Sequence, residues 1–204
     1  GLDISEEEFL NNIDKISKKA DSLNNFLRID MEDSRATDIT INAYKKLRSE
    51  TDKVGTVFQA YLFRTFEDIK KIKDLGLNIR LCKGIYKEDS KISLQNRKQI
   101  NKNYLKILKY SFENDIYVGI ATHDSDLISK VYNLINDMNI KNDRFEFQTL
   151  YGVPMSYWLN EHLRHNYKVR IYVPFGPEWY DYSIRRLQEN PNIASYVLKN
   201  IFKK

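Results

Sequence analysis

The chain has 204 residues, and its content of 42% hydrophobic and 13% aromatic residues excludes a disordered protein although 30% are charged. A formal net charge of +5 permits an anionic partner, but positive and negative residues are interspersed, which argues against a nucleic-acid-binding surface. The single cysteine, Cys82, excludes disulfides within the chain and cysteine-based zinc sites.

Along its whole length the chain alternates short apolar runs with longer amphipathic ones. Ser5 and the three glutamates after it predict a capped helix start ahead of the first run. Runs rich in β-branched and aromatic residues predict strands at 26–30, 54–59, 78–82, 116–122, 144–150 and 169–175. Helical patterns lie between them at 36–49, 66–75, 93–114, 125–139 and 155–166. This alternation predicts right-handed βαβ units and a parallel sheet.

Each predicted strand runs into polar or charged residues. The strand at 26–30 leads into MEDS, the strand at 78–82 into KG, and the strand at 116–122 into HDSD. Parallel α/β folds, and (β/α)8 barrels above all, place their chemistry at the carboxyl ends of the strands. We therefore expect a functional site at this edge.

The number of strands leaves two architectures open. A closed barrel of this type needs eight strands and typically about 250 residues, whereas the pattern gives six strands. The chain therefore forms either a six-stranded open sheet or a barrel whose first two strands lie upstream of Gly1.

The stretch YDYSIRRLQENP, residues 180–191, predicts a helix with two adjacent arginines. At about 100° per residue, Tyr182, Arg185, Arg186 and Glu189 fall on one side of it. Paired guanidiniums suit a carboxylate or a phosphate. On pattern alone, a solvated salt-bridge face is the preferred interpretation.

Seven motifs, in order and with matching spacing, resemble those of the bacterial proline dehydrogenases, including the proline dehydrogenase domain of PutA. They are FLRIDMEDS, VFQAYLFRT, IRLCKGIY, ATHDSD, FEFQTLYG, VRIYVPFGPEWYDY and SIRRLQENP. The resemblance covers essentially the whole chain. It implies a distorted (β/α)8 TIM-type barrel in which residues 26–30 form the third strand, so that 1–204 is one catalytic domain lacking its first two strands.

The resemblance also implies an activity. The expected reaction is the oxidation of L-proline to Δ1-pyrroline-5-carboxylate by hydride transfer from proline C5 to N5 of FAD, the first step of proline catabolism. A membrane quinone is the expected electron acceptor. We accordingly expect a cytoplasmic enzyme with at most peripheral contact at the inner face of the membrane, no metal and no nucleic-acid partner.

Residue by residue, the resemblance assigns roles around the substrate. Asp30 and Arg80 are the expected catalytic residues, with Arg80 beside the flavin, where a cation stabilises the reduced, anionic ring. Arg185 and Arg186 are the expected partners of the proline carboxylate. The other expected substrate-binding residues are Tyr172, Tyr182, Glu189 and Leu150. Asp30 could otherwise cap a helix, but Asp33 or Ser34 could fill that role, so we favour the catalytic role. Taken alone, Arg80 would be interpreted equally well as part of a barrel salt bridge.

The cofactor-binding residues implied in the same way are Met31, Gln59, Arg80, Lys83, Gly84, Ile85, Thr122 and His123. Gln59 carries both the donor and the acceptor that the pyrimidine edge of a flavin needs. Gly84 would allow backbone to approach the cofactor, and Lys83 would meet its pyrophosphate. Glu146 and Gln148 alternate along their strand, so we expect both to face inward. His162 and His165 are expected on a polar helix face, without a role.

Three other functions compete with this one. The chain could be a partial barrel that is inactive without its N-terminal segment. It could be another barrel enzyme that binds an anionic small substrate through Arg185 and Arg186. A basic nucleic-acid-binding protein is the third, and it predicts an affinity that falls steeply with salt.

Overall fold

All six predicted strands are present in the computed structural model of the chain, which describes residue 2 and residues 4–177. They are β1 (Leu27–Ile29), β2 (Val54–Gln59), β3 (Asn78–Cys82), β4 (Tyr117–Ala121), β5 (Phe145–Leu150) and β6 (Val169–Tyr172). Strands β2 and β3 have the predicted bounds, and the other four are slightly shorter. The hydrophobic patterning of the sequence therefore located the sheet correctly.

The helices follow the prediction closely as well. They are α1 (Glu6–Ser22), α2 (Thr37–Arg48), α3 (Thr65–Ile72), α4 (Arg97–Glu113), α5 (Ser125–Asp137) and α6 (Ser156–Arg164). Ser5 caps α1, because its hydroxyl accepts a hydrogen bond from the Glu8 backbone N–H at 3.1 Å. Helix α4 begins later than predicted, because the Asn96 side chain accepts from the backbone N–H groups of Lys98 and Gln99 and fixes the start there. No helix in the described part of the chain is both long and apolar enough to cross a bilayer.

The strands form one parallel sheet in which the order in space equals the order in sequence, β1 to β6. A right-handed twist accumulates across such a sheet, and here it curls into a half-barrel with helices on the outside. The expected α/β barrel class is confirmed by this architecture. The carboxyl ends of all six strands lie on the same rim, as the parallel pairing requires.

The two faces of the sheet have opposite character. On β3, Ile79 and Leu81 point outward and are fully buried against the helices, where they meet Tyr104, whose hydroxyl donates to the Leu81 carbonyl at 2.8 Å. Asn78 and Arg80 point the other way, into the half-barrel, and are only partly buried. The outer face therefore supplies the hydrophobic core, since burying each such side chain contributes roughly 1.5–3 kcal/mol. The concave face is left to polar groups.

The expectation for His162 was wrong. The residue is only 3% exposed, and its ring stacks on Phe147 with centroids 3.8 Å apart. Its Nδ1 lies 2.7 Å from the Tyr132 hydroxyl, so a polar ring atom is satisfied within an aromatic cluster. A histidine that is paired and stacked in this way can be buried at little cost, which the helical pattern of α6 could not reveal.

Candidate active site

Three of the predicted site residues meet at the rim of the half-barrel, although they come from strands far apart in sequence. Asp30 directly follows β1, and its carboxylate accepts from Arg80 Nη1 at 3.0 Å. The guanidinium carbon of Arg80 also lies 5.5 Å from the centre of the Tyr172 ring at the end of β6. The sheet thus places an anion, a cation and an aromatic ring together at the rim, an arrangement suited to a small zwitterion.

Arg80 is held from below as well as from the rim. Its Nε donates to Gln148 Oε1 at 2.7 Å, and Gln148 Nε2 donates to Glu146 at 2.7 Å. Glu146 and Gln148 therefore face inward together, as expected from their alternation along β5. Arg170 of β6 adds a bidentate ion pair to the same Glu146 carboxylate.

The predicted cofactor residues on β1 and β2 lie beside this cluster. Met31 and Gln59 are both buried at strand ends. Gln59 Nε2 donates to the Glu32 carbonyl at 3.3 Å, while its buried Oε1 has no hydrogen-bond partner among the residues that the structure describes. A buried acceptor without a donor is costly, so this atom suits a ligand N–H.

The loop after β3 has a glycine where no other residue would fit. Gly84 has a φ of +107°, and a Cβ placed there would lie 2.1 Å from the ring of buried Tyr61. The backbone therefore comes close to the Tyr61 ring at this point, which only a glycine allows. The next residue, Ile85, is 43% exposed at the rim.

Lys83 is engaged by a residue that the sequence reasoning missed. Its ammonium pairs with the carboxylate of Asp124, which also binds Arg97 and Asn101. Burial alone would raise the pKa of Asp124, but hydrogen bonds from Arg97, Lys83 and Asn101 outweigh it and hold the pKa far below its usual range. The sequence HDSD could have revealed only the capping role of Asp124, because an aspartate just before a helical pattern is a typical N-cap, and Asp124 does cap α5.

The hydrogen bonds of His123 fix its tautomer. The backbone N–H of Leu150 donates to His123 Nε2 at 3.1 Å, so this nitrogen is unprotonated, and Thr149 Oγ1 lies 3.2 Å from it. Burial lowers the pKa of His123, which favours the neutral ring. A neutral ring that accepts at Nε2 carries its proton on Nδ1 and can donate it to a phosphate or ribose oxygen. Thr122 lies beside it, and its hydroxyl accepts from the Asp124 backbone N–H at 3.2 Å.

A second pair of contacts missed from the sequence ties together the loops after β1 and β3. Glu88 accepts from the Ser34 backbone N–H at 2.7 Å and from the Ser34 hydroxyl at 2.8 Å. Close by, the Tyr86 hydroxyl donates to the Glu32 carboxylate. The loop that begins with Asp30 is thus linked across the rim to the loop after β3, and no local pattern in the sequence could have paired residues 54 positions apart.

The predicted residues of the last helix fall outside the described part of the chain. They are Tyr182, Arg185, Arg186 and Glu189. Their placement beside the rim stays a prediction.

The described residues fit FAD. The unpaired Gln59 acceptor, the Gly84 backbone and the Nδ1 donor assigned to His123 lie at successive strand ends of one rim. They match what a flavin edge, a pyrophosphate and a ribose need in turn. Arg80 adds a cation at the same rim.

Comparison with known proteins adds independent evidence. The sequence profile of the family described as proline dehydrogenase matches residues 2–199. Proline dehydrogenase 1 of Bacillus subtilis subsp. natto is 38% identical over 204 residues, all of this chain and 67% of that protein. Proline dehydrogenase of Deinococcus radiodurans is 34% identical over 197 residues, 95% of this chain and 63% of that protein.

Solved structures agree on the fold. Proline utilization A from Bdellovibrio bacteriovorus, inactivated by N-propargylglycine, superposes with a TM-score of 0.82 at 25% identity. The match covers 92% of this chain but only 22% of that one. A Bradyrhizobium japonicum proline utilization A mutant gives a TM-score of 0.79 at 20% identity, covering 91% of this chain and 21% of that one. The chain thus spans about two thirds of the length of its curated relatives and about a fifth of these larger proteins.

Proposed function

Because this chain belongs to the proline dehydrogenase family, we propose that it oxidises L-proline to Δ1-pyrroline-5-carboxylate with FAD as its cofactor, as one catalytic barrel domain. The observation that carries this proposal is the position of Arg80, which is held between Asp30 at the rim and Gln148 in the interior. When bound, FAD would supply the acceptor for the hydride that leaves C5 of proline.

The residues of the chain would hold and orient the two reactants. Gln59 would pair with the pyrimidine edge of FAD through its free Oε1. His123 would donate from Nδ1 to the ribose or phosphates, and the backbone at Gly84, Ile85 and Lys83 would run beside the pyrophosphate. Met31 and Thr122 would pack along the same groove. A rigid, paired cradle of this kind lowers the entropic cost of alignment.

On the substrate side, the proline carboxylate would pair with Arg185 and Arg186, braced by Glu189. The ring would be enclosed by Tyr172, Tyr182 and Leu150. The exposed carboxylate of Asp30 would balance the substrate amine. Arg80 would stabilise negative charge as it develops beside it, which is an electrostatic task. A membrane quinone is the proposed acceptor, reached by an enzyme in the cytoplasm with peripheral membrane contact.

Measuring FAD binding and its reduction by proline tests the proposal. We expect the purified protein to bind FAD, to show flavin absorbance and to reduce an artificial electron acceptor with L-proline but not with D-proline. Failure to bind FAD, or a bound flavin that proline does not bleach, would contradict the proposal.

A matched pair of variants tests the role of Arg80. We expect Arg80→Met to retain FAD while kcat falls by about 10- to 100-fold, because one preorganised charge is lost. Arg48→Met is the control, since Arg48 is also partly buried but donates to the Leu75 carbonyl in the helix layer. Equal effects of the two changes would show that Arg80 has no place in the reaction.

A further inference from the structure

Glu146 is a fully buried carboxylate in the interior of the half-barrel, below the rim. It accepts hydrogen bonds from Arg170 Nε at 2.6 Å, Arg170 Nη2 at 3.0 Å, Gln148 Nε2 at 2.7 Å and the Tyr117 hydroxyl at 3.2 Å. Burial alone raises the pKa of Glu146, but the donors from Arg170 and Gln148 outweigh it and lower the pKa below its usual value. A buried charge with four donors is anionic, and it can only accept hydrogen bonds.

This acceptor determines which way the Gln148 amide points. Gln148 Nε2 faces Glu146, so Oε1 faces Arg80 Nε at 2.7 Å. The reverse orientation would set the amide oxygen against a carboxylate and the amide nitrogen against a guanidinium, so that both contacts would be repulsive. An anionic Glu146 thereby makes the neutral Gln148 an acceptor for Arg80.

The neighbouring strand, β4, has a glycine where the Gln148 side chain passes. Gly119 of β4 lies opposite Glu146 in the sheet register. A Cβ at Gly119 would lie 2.4 Å from Gln148 Nε2 and 2.9 Å from its Cδ. The Gln148 side chain therefore crosses the strand only because this position has no side chain.

At the other end of the chain of contacts, Arg80 reaches the rim. With Nε fixed by Gln148, its planar fork directs Nη1 at Asp30, 3.0 Å away. Two donor groups of Arg80, Nε and Nη1, are thus already hydrogen-bonded within the protein. The orientation of the rim cation is consequently set by a carboxylate that does not touch it.

We propose that Glu146 is a positioning residue, which acts through the Gln148 amide to hold the Arg80 guanidinium in its orientation at the active-site rim. The expected effect on catalysis rests on the proposed function. The orientation of Arg80 rests only on the contacts among these side chains.

The test is a double-mutant cycle on the FAD-loaded enzyme. Glu146→Gln keeps the shape but frees the Gln148 amide to turn over, and Gln148→Leu removes the link without changing a charge. We expect either change to lower kcat about tenfold and to make the flavin midpoint potential more negative, as Arg80→Met does, with little change in the KM for proline. In the Arg80→Met background, neither change should alter kcat by more than about twofold, because residues that act through one another are not additive.

Asp68→Asn is the matched control. Asp68 is also a buried, ion-paired carboxylate, but it lies on α3 and pairs with Arg64. We expect this change to leave the flavin potential and kcat unaltered. If it produced the same shift as Glu146→Gln, the effect would belong to loss of any buried charge, and the proposal would be wrong.

A readout independent of turnover separates this proposal from the proposed function. In the nitrogen-15 spectrum of the purified protein, the Nε–H signal of Arg80 is identified by its loss in Arg80→Met. We expect its exchange with water to be at least tenfold faster in Gln148→Leu and in Glu146→Gln than in the wild type or Asp68→Asn. Unchanged exchange, or additive losses of kcat in the cycle, would overturn the positioning role. A wild type that binds no FAD would instead refute the proposed function. If Glu146→Gln does not fold, the result for Gln148→Leu alone decides whether the positioning role holds.

Discussion

The protonation state and burial of single side chains in this protein are determined by partners from other strands and helices. The Nε2 of His123 accepts from the Leu150 backbone, which leaves the proton on Nδ1. His162 is enclosed by Phe147 and Tyr132. Burial, helped by the nearby His165, lowers the pKa of His162 to about 4. Both histidines are therefore neutral parts of the folded structure near neutral pH.

This burial predicts an acid-dependent loss of stability. The unfolded chain protonates His162 near pH 6.5, whereas the folded chain does so only near pH 4. The contribution of His162 is therefore complete above pH 6.5 and is lost as the pH falls toward 4. We expect the free energy of unfolding to fall by roughly 2 to 3 kcal/mol over this range from this group alone.

Urea unfolding at several pH values between 7 and 4 measures the effect. His162→Phe keeps the stacking on Phe147 but cannot be protonated, so we expect a flatter pH dependence. His165→Gln, at an exposed histidine in the residue after α6, is the comparison. Burial is the larger cause of the lowered pKa of His162, so we expect this change to keep most of the slope of the wild type. A slope in His162→Phe equal to that of the wild type would refute this assignment.

The loop after β3 is the element on which the site depends most. Gly84 turns the backbone beneath Tyr61, whose own backbone N–H donates to the Lys83 carbonyl at 2.8 Å. Farther along, Glu88 binds Ser34 in the loop after β1. The loop is therefore fixed at both ends by contacts within the protein, which set its conformation.

A pair of glycine substitutions tests this element. In Gly84→Ala, the new methyl group would collide with the Tyr61 ring at a φ of +107°, so we expect a loss of roughly 2 to 4 kcal/mol in the free energy of unfolding, together with weaker FAD binding. Gly152→Ala is the control, because its φ is +84° but nothing lies within 4 Å of the new carbon. There we expect only backbone strain, about 1 kcal/mol. Equal losses in urea unfolding would contradict the proposed close approach.

In the molecule as a whole, the sheet separates two tasks. Its convex face packs the hydrophobic core against the helices, and its concave face holds a continuous polar network from Arg170 through Glu146 and Gln148 to Arg80 and Asp30. Substitutions on the convex face should therefore change mainly the free energy of unfolding. Changes at the concave face should affect the cofactor and substrate more than folding.

The helix predicted at residues 180–191, outside the described part of the chain, supplies the corresponding prediction for the substrate. We expect Arg185→Met or Arg186→Met to raise the KM for L-proline by about 10- to 100-fold while FAD stays bound, because a charge-assisted pair with the carboxylate is lost. Arg164→Met is the control, since Arg164 pairs with Glu161 on the exposed side of α6. Loss of FAD in the Arg185 or Arg186 variant would show that these residues serve the cofactor.

The sequence by itself determined the elements and the order in which they occur. Strands β2 and β3 have the predicted bounds, because a buried strand is an apolar run whose signal is local. The family resemblance also placed Asp30 and Arg80 in one site, and the two side chains do pair at 3.0 Å, while their roles and that of Gln59 stay predictions. Even the inward pairing of Glu146 and Gln148 followed from the period of two along a strand.

Only the tertiary structure decided which side chains meet. Arg80 and Gln148 are 68 positions apart, Lys83 and Asp124 are 41 apart, and neither pairing has a signature in the local sequence. The burial of His162 likewise depends on Tyr132, which a different helix supplies. Periodicity determines the direction in which a side chain points, but the curvature and register of the sheet determine what it touches, and these arise from packing across the whole molecule.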